Sequence, residues 1–357
     1  MSIRALVLSA LVCAAIPAAA QKRTITETDL FKFVWIADPQ ISPDGSQIAF
    51  VRVDVNEKTD TYETSIWIVS TDAKEPPRRL TGGIRDTTPR WSPDSGRLAF
   101  VRAVEKDGKA EPPQIYVMSM TGGEGRELTT IPRGAGNPVW SPDGRTIAFT
   151  STARASDLKA SSADIKKDEK QDAKEAKDKI AERKSDVRVI TRAVYRANGV
   201  ADFGYVDPDR PSHIWIIDVP AEAGSVAAPA PKPQLVTAGE FGAGNHSWSA
   251  DGTRIYFVSD RRREPYYLPG DSDLYAVARG GGEPERIASI DGGIGPYTVA
   301  PDGKRIAFLG TLHGSPERSY SQTDLWVIES AGGTPRNLTA GYDFDAGGSL
   351  AGDQRAP

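Results

Sequence analysis

Trp140, Ser141, Pro142, Asp143, Gly144, Arg145, Thr146, Ile147, Ala148 and Phe149 form the stretch that decides the fold. Pro142 presets φ for a turn, Asp143 can bond its own backbone, and Gly144 accepts a positive φ. Beyond the turn, Ile147 and Phe149 alternate with Thr146 and Ala148, the two-residue period of a strand. Taken alone, this stretch predicts one hairpin.

The chain writes it five times. The turn aspartates Asp44, Asp94, Asp143, Asp251 and Asp302 stand 50, 49, 108 and 51 residues apart. Each turn leads into a strand of one design, at residues 47–51, 97–101, 146–150, 254–258 and 305–309. A third strand recurs at 65–69, 114–118, 213–217, 273–277 and 324–328. Gly-rich or Pro-rich turns follow, such as Gly122-Gly123 and Gly332-Gly333, and a short fourth strand ends at Leu80-Thr81, Leu128-Thr129, Val236-Thr237, Ile287-Ala288 and Leu338-Thr339. A repeat of this length carrying four hairpin-linked strands predicts an all-β fold, a β-propeller of four-stranded antiparallel blades. The blades are expected near 39–81, 86–129, 137–237, 244–288 and 295–339, with the start of a sixth at 340–357.

Residues 151–211 interrupt the third repeat. From 161 to 184 they are dominated by Lys, Asp, Glu and Ala, which predicts a charged, solvated helical excursion. Ahead of the repeats, residues 21–38 read as a lead-in segment. Within it Thr26 to Asp29 resembles a helix start, with Leu30, Phe31, Phe33 and Val34 able to face inward, so the segment reads as a short helix or an outer strand packed on the propeller. Six of the seven tryptophans fall at repeat-equivalent positions (Trp67, Trp91, Trp140, Trp215, Trp248, Trp326), which predicts core between blades and not a ligand box.

The formal net charge is −4 over 357 residues, so no basic surface offers itself to nucleic acid. Arg4, an apolar run over residues 5–16 and Ala18-Ala19-Ala20 predict a secretory signal over 1–20, hence a periplasmic or secreted protein without stable membrane insertion after cleavage. Cys13, the one cysteine, leaves with it, so the mature chain forms no disulfide.

The repeats resemble TolB-like or WD40-like propeller repeats. Together with the signal, the insertion and the stretches at 195–199 and 259–262, they are most similar to the prolyl oligopeptidase family (S9) of serine peptidases, in its dipeptidyl-peptidase and acylaminoacyl-peptidase branches. That resemblance implies a propeller placed before an α/β-hydrolase domain, gating short peptide substrates. It also implies a Ser, Asp, His triad with the Ser on a G-x-S-x-G elbow, and no residue here maps onto that triad. Ser349, within Gly347-Gly348-Ser349-Leu350-Ala351-Gly352, lacks the strand before it and the Asp and His after it; His213, His246 and His313 all lie upstream. The expectation is therefore no catalytic residue, no cofactor and no metal site, since neither H-E-x-x-H nor C-x-x-C occurs and Asp271/Asp273 and Asp343/Asp345 lack the rest of a calcium loop. Arg261 and Arg262, in the run that continues through Arg263 and Glu264, are the substrate-binding candidates, because paired guanidinium hydrogen bonds suit a peptide carboxylate. A stand-alone TolB-like periplasmic propeller that binds protein partners is the alternative reading.

Overall fold

A computed structural model describes residues 24–106, 109–157, 210–220, 231–262, 270–313 and 321–347. The signal at 1–20, the charged stretch at 161–184, residues 195–199, Arg263, Glu264 and Ser349 lie outside the described residues.

Each repeat folds as one antiparallel sheet in chain order. The first comprises β1 (Trp35–Ile41), β2 (Gln47–Asn56), β3 (Thr61–Ser70) and β4 (Arg78–Arg79). The second has β5 (Asp86–Trp91), β6 (Arg97–Arg102), then a small hairpin of β7 (Glu105–Lys106) and β8 (Lys109–Ala110), and returns as β9 (Gln114–Ser119) and β10 (Arg126–Glu127). β11 (Gly136–Trp140), β12 (Thr146–Ser151), β13 (His213–Asp218) and β14 (Gln234–Leu235) make the third. The fourth is β15 (Gly244–Trp248), β16 (Arg254–Ser259), β17 (Asp273–Ala278) and β18 (Glu285–Ala288). The fifth is β19 (Gly292–Val299), β20 (Arg305–Leu312), β21 (Thr323–Glu329) and β22 (Arg336–Asn337). β1 begins at Trp35, inside the stretch read as a lead-in. The fourth strands pair one or two residues ahead of the Leu-Thr dipeptides in four of the sheets. The threonines do another job: the hydroxyls of Thr81, Thr129, Thr237 and Thr339 accept the backbone N–H of Ile66, Ile115, Ile214 and Leu325.

The turns explain why the motif repeats. In four of them the Ser hydroxyl donates to the Asp carboxylate at 2.5–2.6 Å. The same hydroxyl accepts the N–H five residues on, at 2.9–3.0 Å, which closes the hairpin. These serine bonds, with the N–H two residues beyond each carboxylate, hold Asp44, Asp94, Asp143 and Asp251 below the usual carboxylate range. Gly144 lies at φ 66°, and Ser95 takes the same left-handed conformation at 59° in the second turn. In the fifth turn Ala300 stands where the serine should be. Ala300→Ser should raise stability by about 1 kcal/mol, read as a thermal midpoint about 2 °C higher; an unchanged midpoint would remove the hydroxyl from the account.

Alternate residues of one strand serve two cores, as strands covered on both faces require. Trp215 and Ile217 pack with Ala99 and Ile115 of the second sheet, while Ile214 and Ile216 pack with Trp248 and Ile255 of the fourth. Equivalent clusters join the first sheet to the second and the fourth to the fifth. Fully buried Phe100, Phe149, Phe257 and Phe308 each contribute roughly 1.5–3 kcal/mol, and each lies directly across the ladder from an aromatic ring: Tyr116, Trp215, Tyr275 and Trp326.

The first strands of successive sheets approach one another, which puts them at the axis of the stack. Each tryptophan there is a latch. The indole N–H of Trp91 donates to Gln40 O at 2.9 Å, that of Trp140 to Arg90 O at 3.0 Å, and that of Trp248 to Val139 O at 3.1 Å. Val299 replaces the tryptophan in the fifth sheet, and the Tyr297 hydroxyl, bonded to Ser247 at 3.0 Å, does the linking instead. Trp140→Phe deletes the donor and leaves a smaller ring in the core, so it should lower stability by at least about 1–2 kcal/mol in denaturant titration; no change would mean that the latch is incidental.

Two expectations need correction. Leu30, Phe31, Phe33 and Val34 are 37–53% exposed. Ahead of β1 the described lead-in holds a 3-10 helix, Glu27–Lys32, whose buried residue is Asp29, bonded to Thr26 N at 2.9 Å and Lys32 Nζ at 3.1 Å. Three residues per turn cannot hold an α-helical apolar stripe on one face. Among the tryptophans, Trp67 and Trp326 are half-buried, not core. Trp67 faces away from the second sheet and has the Arg52 guanidinium 4.6 Å from its ring centroid as cover. Trp326 stacks on Phe308 at the edge of the cluster shared with the fourth sheet.

Candidate functional site

The strands at the axis are not regular. In the first four sheets one residue at or beside a bulge adopts a positive φ: Asp38 at 46°, Thr88 at 55°, Asn137 at 53° and Asn245 at 47°. Each stands six residues before its turn aspartate. Pro39, Pro89 and Pro138 follow in the first three, His246 in the fourth. In the fifth the irregularity falls between Ile294 and Tyr297, across Gly295 and Pro296. A bulge leaves a residue out of the ladder and re-aims it, so polar side chains gather at the axial strands. Arg90 pairs with Asp38 at 2.7 Å between the first two sheets, and Asn245 Nδ2 donates to Gly295 O at 3.3 Å between the last two. The sequence carried a partial sign of this, an Asp-Pro, Thr-Pro or Asn-Pro pair at a constant offset from the turn.

The connections between second and third strands emerge at one end of the stack. In the fourth sheet that connection carries Arg261 and Arg262. Arg262 is engaged: its Nε and Nη2 donate to Asp260 at 3.0 and 2.6 Å, and Nη1 lies 3.6 Å from Asp271. Burial pushes the Asp260 carboxyl up, but the side-chain and backbone hydrogen bonds from Arg262, with its charge, hold it below the usual carboxylate range. Arg261 is different. Its guanidinium lies over the rings of Phe241 (5.5 Å) and Tyr275 (5.1 Å), and its buried Nε meets no acceptor.

Beside this loop lies a pocket of about 220 Å³, lined by Thr152, Arg154, Arg210, His213 and Gly239 among others. Arg210 pairs with Asp157 at 2.6 Å. Burial, and then the nearby positive charge of Arg261, lower the pKa of His213 below the ordinary histidine value, with a backbone contact at Gly239 opposing. His213 Nδ1 lies 3.4 Å from the Thr237 hydroxyl. No group of three His, Cys, Asp or Glu side chains among the described residues could hold a metal. A hydroxyl, an imidazole and a carboxylate do not meet at His213, His246 or His313 in any bond recorded among those residues. The geometry therefore offers hydrogen bonds and charge at the axis and at one end, in a setting suited to binding.

Comparison with known proteins agrees with this architecture. Residues 18–179 match the family described as the TolB beta propeller domain, PD40. The chain carries a β-propeller similar to that of TolB. Over 129 residues the propeller is 43% identical to the peptidase YuxL of Bacillus subtilis (strain 168), covering 36% of this chain and 19% of that protein. Dipeptidyl-peptidase 5 of Porphyromonas endodontalis is 25% identical over 131 residues, covering 36% of this chain and 18% of its own. The matched stretch thus spans about a fifth of those curated relatives. Among solved structures, Pyrococcus horikoshii acylaminoacyl peptidase superposes with a TM-score of 0.54 at 16% identity, over 88% of this chain and 41% of that one. The β-propeller domain of the Trilobed protease from Pyrococcus furiosus, described as having an open velcro topology, gives 0.50 at 16% identity, over 87% and 72%. These structural likenesses establish the shared fold; the likeness to proteins named peptidases comes from the curated relatives, over about a fifth of their length. Among the described residues no helix is long and apolar enough to cross a membrane.

Proposed function

We propose that this propeller is the substrate-gating portion of an exported S9-type serine peptidase, in which an α/β-hydrolase domain cuts short peptides that the propeller admits. The observation that carries the reading is the 43% identity to a peptidase over repeats that build stacked sheets with hydrogen-bonding groups at their axis. The bulged strands supply fixed polar groups for an extended peptide, and the stacked sheets form a wall around them. The signal-like residues 1–20 support export.

The chain alone, incubated with aminoacyl and dipeptidyl p-nitroanilides, should release no nitroaniline and take up no fluorophosphonate label. Hydrolysis abolished by a serine reagent would contradict the division of labour. The TolB beta propeller match favours a second reading, a scaffold that binds protein partners. Under that reading, fusing a hydrolase domain to the propeller would leave its peptide size preference unaltered.

A further inference from the structure

The second and fourth sheets each hold a guanidinium over two aromatic rings, and among the described residues only that of the second sheet has a carboxylate partner. In the second, Arg102 lies over Phe100 (5.2 Å) and Tyr116 (5.1 Å) and binds Asp86 through two hydrogen bonds of 2.7 and 2.8 Å. In the fourth, Arg261 lies over Phe241 and over Tyr275, which occupies the third-strand position of Tyr116. The position of Asp86, eight residues before the turn aspartate, is taken in the fourth sheet by Ala243, which is 3% exposed. No hydrogen bond or ion pair among the described residues reaches Arg261. The nearby carboxylates among the described residues are occupied: Asp260 and Asp271 by Arg262, and Asp273 by Arg286 at 3.4 Å. A partly exposed guanidinium fixed on two aromatic faces keeps a set orientation, which suits a planar acceptor at its accessible edge.

We propose that Arg261 is a carboxylate-binding residue that takes the C-terminal carboxylate of a short peptide whose last residue lies in the neighbouring pocket. The ligand supplies the carboxylate that Arg261 lacks among the described residues. Ala155, Pro211, Leu235 and Ala238 line much of that pocket, which suits the small side chain of a last residue beside its carboxylate. The chain as a whole carries a net −4, so anion binding here would be local and not a general effect of surface charge. The inference rests on the gating proposal only for the peptide as the source of the carboxylate. Its test involves no hydrolysis, so its failure leaves that proposal standing.

The probe is acetyl-trialanine titrated calorimetrically into the whole chain, as the free acid and as the C-terminal amide. A third peptide, amidated at its terminus and carrying one internal glutamate, separates a terminal carboxylate from a side-chain one. The free acid should bind saturably to the wild type, at least about tenfold more tightly than the amide. Arg261→Gln should remove that difference, and Arg261→Lys should restore part of it. Binding of the glutamate peptide that equals that of the free acid would keep the carboxylate site and reassign its source to an acidic side chain. Equal affinity of acid and amide for the wild type, or no saturable binding of either, would overturn the proposal without recourse to any variant.

Discussion

Arg102→Ser should destabilise the propeller by about 3–5 kcal/mol, because it strands a carboxylate that has no access to water. Asp86 is 0% exposed, and Arg102 supplies both of its guanidinium hydrogen bonds. A Cβ at Gly83 would overlap that carboxylate, so Asp86 has little room to swing away. The third and fourth sheets show how the same place is filled without charge: Ala135 and Ala243 replace the aspartate, and Ser151 and Ser259 replace the arginine, each hydroxyl donating at 2.6 Å to a backbone carbonyl, Gly134 O and Gly242 O. The double variant Asp86→Ala, Arg102→Ser should therefore recover most of what Arg102→Ser loses, since it leaves no charge buried. Denaturant titration of the wild type, both single variants and the double closes the cycle. Additive losses, or an Arg102→Ser loss below about 1 kcal/mol, would show that the pair is not coupled as described.

The second large effect is acid lability at His246. Burial lowers the pKa of this imidazole from 6.5 to about 4, opposed by a backbone contact with Ala148, and its Nε2 has no hydrogen-bond partner among the described residues. The folded state thus holds the ring neutral, while the unfolded chain protonates it near pH 6.5. Between those values the unfolded state binds more protons, so stability is full above about pH 6.5 and declines as the pH falls toward 4. The shift corresponds to about 3 kcal/mol lost across that window. His246→Phe, which keeps a ring in the site, should flatten this part of the stability curve relative to wild type. Superimposable pH profiles for the two proteins would show that some other group controls the acid limb.

The strand order was legible because every hairpin carries its own punctuation. Ser-Pro-Asp-Gly fixes the turn, the two-residue period fixes the face, and the repeat supplies an independent copy of each assignment. Trp91, Trp140 and Trp248 were legible as core for the same reason. The inner bulges were harder, because Thr88 at φ 55° has no intrinsic taste for that conformation; tertiary packing imposes it, and the signal lies in the proline that follows. The lead-in misled because Leu30, Phe31, Phe33 and Val34 are clustered and apolar, which predicts burial without saying against what. Arg261 and Arg262 looked alike as neighbouring arginines in one loop. What separates them is their surroundings: two aspartates for Arg262, two aromatic rings and a missing aspartate for Arg261. That distinction depends on comparing sheets residue by residue, and a sequence shows the missing carboxylate only once the equivalence of Asp86 and Ala243 is known.

The central claim, that the sheets sieve and a partner domain cuts, is tested most directly by joining this propeller to an S9 hydrolase domain and comparing kcat/KM for a short peptide with that for the same residues displayed in a loop of a folded protein. The account predicts rapid cleavage of the peptide and negligible cleavage of the folded protein, with the discrimination lost when the hydrolase domain is assayed alone. Equal discrimination with and without the propeller would contradict it.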